Sequence, residues 1–251
     1  MVLRNMSRKI TKILHLLKIF LKQQLFELTR IHVDRGSKIK KILEEGWEHY
    51  RIDIYPKDRR MNILEKEKVE GMGTENIRFL INEIVKRFAK NGTYLEVGIL
   101  KGCSLLSAAL FNPSCRCIGI DNFSLVEDSE NILIANLKNL GNPKNIEYYN
   151  MDYKEAINYL FSKKPELKIN VYYYDGPHSF EDHLQGLRMI LPHLAENCVI
   201  LVDDVNWTHI RKADKIFIKE NPSFKSVFKI KTKANPSRDW WDGFQVITRG
   251  I

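Results

Sequence analysis

From about Thr74 to its end, the chain alternates short apolar runs with helix-length amphipathic stretches. This alternation is typical of a parallel sheet covered by helices, because parallel neighbouring strands need a long crossover between them. The runs that predict strands are Tyr94–Val97, Cys117–Ile120, Ile146–Tyr149, Ile169–Tyr174, Cys198–Val202, Ser226–Ile230 and Phe244–Thr248. We therefore predict an α/β fold built on a doubly wound sheet of seven strands, with ligands at the carboxyl ends of the strands.

Helix-length stretches precede the first strand and separate the first six strands from one another. They are Glu75–Lys90, Ser104–Phe111, Ser129–Leu140, Tyr153–Phe161, Phe180–Leu194 and Trp207–Glu220. Only a polar, proline-containing link, Lys231–Asp242, separates the last two strands. Because this link offers no crossover helix, we expect the last strand to return antiparallel, beside the sixth.

The net charge of +9 is unevenly distributed along the chain. Residues 1–30 hold seven basic residues and one acid, so the other 221 residues carry only +3. Apolar residues recur here at spacings of three and four from Ile10 to Leu28, which predicts an amphipathic basic helix. That helix packs on its own domain or a second subunit, or else contacts an anionic membrane surface or a partner. We divide the chain into this helix with a helical and loop extension, residues 1–74, and an α/β domain, residues 75–251.

Composition excludes several classes of protein. With 44% apolar residues the chain can bury a full core, so intrinsic disorder is excluded. Four cysteines without a Cys-x-x-Cys pair argue against a disulfide framework and a zinc cluster, and favour a cytoplasmic setting, with the inner membrane surface as a peripheral alternative. No apolar stretch is long enough for a spanning helix or a signal peptide. A nucleic-acid partner is disfavoured, because the basic excess lies on one helix that lacks interleaved aromatic residues.

The loop after the first predicted strand carries two glycines, in the sequence Glu96-Val-Gly98-Ile-Leu-Lys-Gly102-Cys-Ser. Glycines let the backbone turn tightly and approach a ligand, but the Gly-x-Gly-x-x-Gly pattern of dinucleotide binders is missing. Glu96 would repel a phosphate and suits a cationic ligand. The second strand ends at Asp121, whose carboxylate can accept hydrogen bonds from ribose hydroxyls. Asp152 follows the third strand, and there a helix cap and a ligand contact are both open.

The pattern Glu96-x-Gly98-x-x-x-Gly102, followed by Asp121 and Asp152, resembles the cofactor motifs of class I S-adenosylmethionine-dependent methyltransferases, over roughly residues 75–251. The resemblance implies a Rossmann-like sheet, with the methionine part of the cofactor near the two glycines, its ribose at Asp121 and its adenine near Asp152. The residues that it assigns to the cofactor are Glu96, Gly98, Lys101, Gly102, Ser104, Asp121, Asn122, Asp152 and Asp175.

Three acids and one histidine follow the fourth and fifth predicted strands, namely Asp175, His178, Asp203 and Asp204. Acids at neighbouring strand ends repel one another unless a cation lies among them. Oxygen ligands without cysteine favour Mg²⁺ or a similar hard ion. Successive residues of a strand face opposite ways, so Asp203 and Asp204 can share an ion only if the strand is ending at Asp204.

The sequences Asp175-Gly-Pro-His178-Ser-Phe-Glu and Asp203-Asp204 are similar to those of O-methyltransferases that modify sugars in macrolide and aminocoumarin biosynthesis. The likeness implies that the three aspartates bind Mg²⁺ and that His178 is the general base. We therefore expect methyl transfer to a hydroxyl of a sugar or glycosylated small molecule. The alternative is a metal-independent methyltransferase acting on another small molecule, in which the acids bind substrate amines.

Several other side chains allow a structural role as well as a functional one. His183 and His193 are expected at the surface or at helix caps, and the basic residues of Arg211–Lys219 on a solvated helix face. The tryptophans at positions 207, 240 and 241 either stack on a sugar ring or pack internally.

Overall fold

The computed structural model describes residues 31–34, 36–48, 52, 55–233 and 236–251. Its strands are β1 (His32–Val33), β2 (Thr93–Val97), β3 (Arg116–Asp121), β4 (Ile146–Asn150), β5 (Ile169–Tyr174), β6 (Leu194–Asp203), β7 (Lys225–Ile230) and β8 (Phe244–Arg249). Its α-helices are α1 (Lys38–Gly46), α2 (Ile63–Lys66), α3 (Glu75–Phe88), α4 (Cys103–Ala109), α5 (Ser129–Asn139), α6 (Tyr153–Lys163), α7 (Phe180–Ile190) and α8 (Thr208–Glu220). Short 3₁₀ helices occupy Arg60–Asn62 and Leu191–His193.

The strands form one sheet in the order β1-β7-β8-β6-β5-β2-β3-β4. Strands β2 to β6 are parallel, and β8 lies antiparallel between β6 and β7. The doubly wound sheet is thus confirmed. The antiparallel return of the last strand is confirmed as well, because β8 pairs antiparallel with β7, the sixth predicted strand, and lies between β7 and β6. The predicted number of seven strands is wrong, because His32–Val33 adds a two-residue edge strand beside β7. Two residues are too few to produce an alternating pattern that a sequence could reveal.

Helices cover both faces of the sheet, and the two cores follow from the alternation of side chains along each strand. Tyr173 belongs to the core that includes residues of α1, α3 and α4, whereas Tyr172 and Tyr174 belong to the core under α6, α7 and α8. All three tyrosines are buried. A strand buried on both faces reads as a continuous apolar run, which is why the sequence revealed β5 so clearly.

The α7–β6 boundary differs from the prediction of one helix over Phe180–Leu194. Helix α7 ends at Ile190, a 3₁₀ turn with Pro192 follows, and β6 already begins at Leu194. Proline lacks the N–H that an α-helix interior needs and its ring clashes with the preceding turn. The chain therefore enters β6 earlier than the apolar run Cys198–Val202 indicates.

The described part of the N-terminal extension packs into the core of the α/β domain. The Trp240 indole N–H donates to the Ile52 carbonyl at 2.6 Å, and the Trp47 indole N–H donates to Asn76 Oδ1 at 3.1 Å. The rings of Trp47 and Trp240 lie 5.9 Å apart, and both are buried. Of the two roles open for Trp240, internal packing is the one observed. The boundary predicted between residues 74 and 75 stays a prediction.

The amphipathic basic helix predicted from Ile10 to Leu28 lies outside the described residues. Among the helices that the structure describes, none combines the length and the apolar character needed to cross a bilayer.

His183 is buried, so the expectation of a surface or capping residue is wrong. Its ring is 2% exposed, and Nε2 lies 2.9 Å from Oδ1 of Asp214, which is fully buried on α8. The Tyr174 ring packs edge-on against the same imidazole at 4.9 Å. The pair joins α7 to α8 beneath the sheet. His193, in contrast, is partly exposed and stacks on Phe161 at 3.5 Å.

We expect His183→Ala to lower the free energy of unfolding by about 3–5 kcal/mol, because it leaves the Asp214 carboxyl buried without its partner. Chemical denaturation followed by circular dichroism measures this change. The matched control, His193→Ala, removes a half-exposed ring and is expected to cost about 1 kcal/mol or less. A His183→Ala protein as stable as the control would contradict a stabilising role for the buried pair.

Candidate functional site

The site begins where the strand order reverses, between β2 and β5. The loop after β2 and the loop after β5 meet there, since the Asp175 N–H donates to the Val97 carbonyl at 2.9 Å. Gly98 has φ +87°, and a Cβ at this position would lie 1.9 Å from the Asp175 carbonyl oxygen. Only glycine fits such a contact without displacing the backbone. Gly98 therefore lets the two loops that carry the predicted cofactor and acid residues approach each other.

Glu96 is fully buried under the loop after β2. Its carboxyl group accepts hydrogen bonds from the Tyr94 hydroxyl at 2.7 Å and from the Ser104 hydroxyl. Burial raises the pKa of Glu96 to about 8, although these two hydrogen bonds act in the opposite direction. The carboxyl group thus holds the Ser104 side chain at the start of α4.

Asp121 ties together the loops after β2 and β3. Its Oδ2 accepts from the Leu100 N–H at 2.7 Å, and its Oδ1 accepts from the Phe123 N–H at 2.7 Å. Each carboxylate oxygen has further lone pairs and can accept a second hydrogen bond. The carboxylate lies at the carboxyl end of β3, one strand away from the switch point, as the prediction of a ribose site requires.

The other predicted cofactor residues have local partners. Lys101 Nζ lies 3.2 Å from a carboxylate oxygen of Glu70, and Asn122 is exposed. Asp152 caps α6 by accepting from the Lys154 N–H at 2.8 Å, which is the cap that the sequence left open. Gly102 has φ +80° and leads directly into α4.

Asp203 and Asp204 face the same cavity although they are adjacent in sequence. Strand β6 ends at Asp203, and Asp204 adopts the left-handed φ of +54°. The strand thus ends where the shared ion would require, but the ligand atoms that lie within 4.8 Å of one another belong to Asp175, His178 and Asp204 and do not include Asp203. Asp203 Oδ2 accepts from the Tyr173 hydroxyl at 3.0 Å, while its Oδ1 is buried and has no hydrogen-bond partner among the described residues.

His178 lies between two of the acids. Its Nε2 is 2.6 Å from Asp204 Oδ2 and 3.7 Å from Asp175 Oδ1. Nε2 is close to Asp204 but is not aligned with a carboxylate oxygen as a hydrogen bond requires. Asp175, His178 and Asp204 each offer one ligand atom, and these atoms lie within 4.8 Å of one another. Carboxylate oxygens and an imidazole nitrogen are all ligand atoms of divalent cations.

The acids crowd one another electrostatically. Burial raises the pKa of Asp175, His178 lowers it and the charge of Asp204 raises it, and together they bring it to about 6. The pKa of Asp203 is also raised, by burial and then by the charges of Asp175 and Asp204. Burial lowers the pKa of His178, but the two neighbouring carboxylates outweigh it and raise that pKa to about 10. The cluster therefore favours a positive charge in its midst.

These side chains line a cavity of about 100 Å³ at the carboxyl ends of β5 and β6. Its walls are Met72, Gly73, Ile77, Arg78, Ile81, Ser104, Tyr173, Asp175, His178, Asp203, Asp204 and Trp241. The sequence analysis missed Arg78. Its position three residues before Ile81, on a helix with an apolar face, is the signal that could have placed it in the wall.

The loop after Asp204 is held by α8. The Arg211 guanidinium donates to the Val205 carbonyl at 2.7 Å, and the Asn206 N–H donates to the Asp242 carbonyl at 2.8 Å. Arg211 is therefore a structural donor rather than part of a solvated face. Trp207, on the same loop, lies 5.1 Å from the His178 ring.

Comparison with known proteins agrees with the fold. Residues 95–205 match the family model of a methyltransferase domain. An O-methyltransferase from Bacillus cereus in complex with SAH has a similar structure, with TM-score 0.58 and 14% identity over 77% of this chain and 92% of that one. The SAH-bound methyltransferase PaMTH1 of Podospora anserina gives TM-score 0.53 and 14% identity, covering 76% and 88%. A methyltransferase from Geobacter sulfurreducens gives 0.53 and 12%, covering 91% and 94%. No curated protein matches the sequence.

Proposed function

We propose that this protein methylates a hydroxyl oxygen of a sugar-like small molecule with the help of Mg²⁺. The proposal starts from the fold of class I S-adenosylmethionine-dependent methyltransferases and from the match of residues 95–205 to a methyltransferase domain. One observation carries the proposal: Asp175, His178, Asp203 and Asp204 surround a single cavity beside the switch point. A base and an oxygen-rich ligand set are thus placed where an acceptor hydroxyl would bind.

The residues fit a hard divalent cation. The cavity brings together three carboxylates, and Oδ1 of Asp203 is buried without a partner in the described part of the chain. A buried carboxylate oxygen without a partner costs free energy, which a bound cation offsets. We assign Asp175, Asp203 and Asp204 as the protein ligands of Mg²⁺. When bound, Mg²⁺ favours the alkoxide form of the acceptor hydroxyl, and S-adenosylmethionine supplies the methyl group.

The chain's own residues would then divide the work as follows. His178 would accept the acceptor's proton on its imidazole after losing its own, because Nε2 lies 2.6 Å from Asp204 Oδ2 and the neighbouring carboxylates raise the pKa of the ring to about 10. The Tyr173 hydroxyl bonds Oδ2 of Asp203, so the opposite oxygen of that carboxylate is the one directed to a ligand. Such positioning fixes the acceptor oxygen relative to the methyl donor, which is a large part of the rate enhancement in group transfer.

The acidic side chains in the cavity wall support a hydroxylated acceptor. Two adjacent hydroxyl oxygens of a sugar ring can both approach a cation held by the aspartates, whereas a lone hydroxyl offers one contact. Trp241 lines the cavity and Trp207 lies beside His178, so an aromatic face is available for a sugar ring.

A metal-independent methyltransferase is the second candidate, and the position of His178 favours it. A protonated His178 between Asp175 and Asp204 already supplies a positive charge, with Nε2 at 3.7 and 2.6 Å from their oxygens. In that state the acids would serve a substrate amine, and His178 would need to lose its proton before acting as a base.

Isotope-labelled S-adenosylmethionine and a panel of acceptors distinguish the candidates. We expect label transfer to sugars with neighbouring hydroxyls, loss of transfer after exhaustive chelation, and its recovery on adding Mg²⁺. Deoxy sugars that lack one of the two hydroxyls serve as matched acceptors and are expected to react more slowly. Transfer that survives chelation would remove the metal from the proposal, and transfer to amines alone would favour the second candidate.

A further inference from the structure

Arg78 is a cation in the cavity wall that has no acidic partner among the described residues. It lies on α3 and lines the cavity together with Ser104 and Asp175. Its Nε–H group is buried and donates no hydrogen bond to a described residue, and the ion pairs of the described residues do not include Arg78. Two other arginines on or beside α3 do have an acidic partner, since Arg60 and Arg87 both pair with Glu83.

An unpaired guanidinium in a cavity wall is unfavourable. Arginine keeps its charge at any ordinary pH and carries five N–H donors, so burial without an acceptor costs free energy. Among the described residues, Cys103 interacts with Arg78: burial raises the pKa of the Cys103 thiol, and the Arg78 charge lowers it. A neutral thiol does not balance a guanidinium. The missing partner is therefore an anionic group that arrives with a ligand.

We propose that Arg78 binds the carboxylate of the amino-acid end of S-adenosylmethionine, an inference that rests on the proposed function. Arg78 reaches Cys103, which lies between Gly102 and Ser104 in the loop expected to hold the methionine part of the cofactor. Planar guanidinium groups bind carboxylates through two parallel N–H bonds.

Competing cations are already occupied. Lys101 lies in the same loop, but its ammonium group is 3.2 Å from Glu70 and it does not line the cavity. His178 lies against Asp204. Ser104, which follows Cys103 in the loop expected to hold the methionine part of the cofactor, lines the same cavity as Arg78. The carboxylate of the cofactor is thus the anion best suited to Arg78.

Isothermal titration calorimetry with two ligands tests this assignment. S-adenosylhomocysteine carries the carboxylate, and its decarboxylated analogue keeps the amine but lacks the carboxylate. For Arg78→Met we expect the Kd of S-adenosylhomocysteine to rise about 10- to 100-fold, because the variant loses a charge-assisted hydrogen bond to the carboxylate. The Kd of the decarboxylated analogue should stay unchanged. Arg78→Lys keeps the charge without the planar fork and should recover part of the loss.

Arg188→Met is the matched control. It removes an exposed arginine of α7 that pairs with Glu220 of α8 and does not line the cavity. It should bind both ligands as the unmodified protein does. Equal weakening of both ligands by Arg78→Met would assign the residue to the fold and overturn the inference, as would unchanged binding of both. If the unmodified protein binds neither ligand, the cofactor assignment itself fails, which is distinct from a failure at Arg78.

Discussion

His178→Ala is expected to lower kcat by about 10²–10⁴-fold, the usual contribution of general-base catalysis. Affinity for S-adenosylmethionine should remain nearly unchanged, because the predicted ribose ligand Asp121 lies at the end of β3, two strands from the end of β5 where His178 follows. Initial rates at saturating cofactor and acceptor measure the first quantity, and calorimetry with S-adenosylhomocysteine measures the second.

His209→Ala is the control for this variant. His209 touches Trp207 at 5.5 Å, as His178 does at 5.1 Å, but it does not line the cavity. Removing it should leave the rate within about twofold, because a surface substitution of this kind has a small effect. Excess Mg²⁺ distinguishes two roles for His178. If the residue is the base, added Mg²⁺ does not restore the rate of His178→Ala, whereas if the residue supports metal binding, added Mg²⁺ does restore it. Full activity in His178→Ala would exclude the residue as the base.

Much of the fold was predictable because it rests on local patterns. Strands β2 to β8 appear as apolar runs, and the helix predicted before β2 over Glu75–Lys90 is observed over Glu75–Phe88. The features that the sequence did not predict depend on contacts between distant segments. The two residues of β1 become a strand only because β7 offers an edge, and His183 is buried only because α8 places Asp214 opposite it.

The candidate site was predictable for a related reason. Parallel strands end at one edge of a sheet, so acids that follow neighbouring strands lie together without further information. The left-handed backbone of Asp204, which turns its carboxylate toward the cavity, could be stated only as a condition. Arg78 was missed because its function depends on how α3 lies against the cavity, and the sequence of a helix does not state that.

The second large effect is expected for Asp203→Asn, which removes a negative charge with almost no change in volume. The side-chain oxygen can still accept from the Tyr173 hydroxyl, which now lies 3.0 Å from Oδ2. Loss of one ligand of the proposed Mg²⁺ site should lower kcat/KM by about 10²–10⁴-fold, since a bound metal contributes several kcal/mol to charge stabilisation and each 1.36 kcal/mol is tenfold in rate.

The stability of the same variant should change in the opposite direction. Asp203 is crowded by burial and by the charges of Asp175 and Asp204, so in metal-free protein the neutral amide relieves repulsion and raises Tm. Unmodified protein should gain about 2.7 kcal/mol from Mg²⁺ at a hundred times its Kd, and Asp203→Asn should gain much less. Thermal unfolding with and without Mg²⁺ measures both effects.

Asp182→Asn is the control for Asp203→Asn in this experiment. Asp182 lies outside the cavity and pairs with Lys154 at 2.9 Å, so its loss should lower Tm slightly and leave the response to Mg²⁺ intact. A carboxylate that stabilises the fold and a carboxylate that serves a ligand thus change Tm with opposite signs when neutralised. If Asp203→Asn lowers Tm without metal and responds to Mg²⁺ as the unmodified protein does, Asp203 belongs to the first kind and the metal site is refuted.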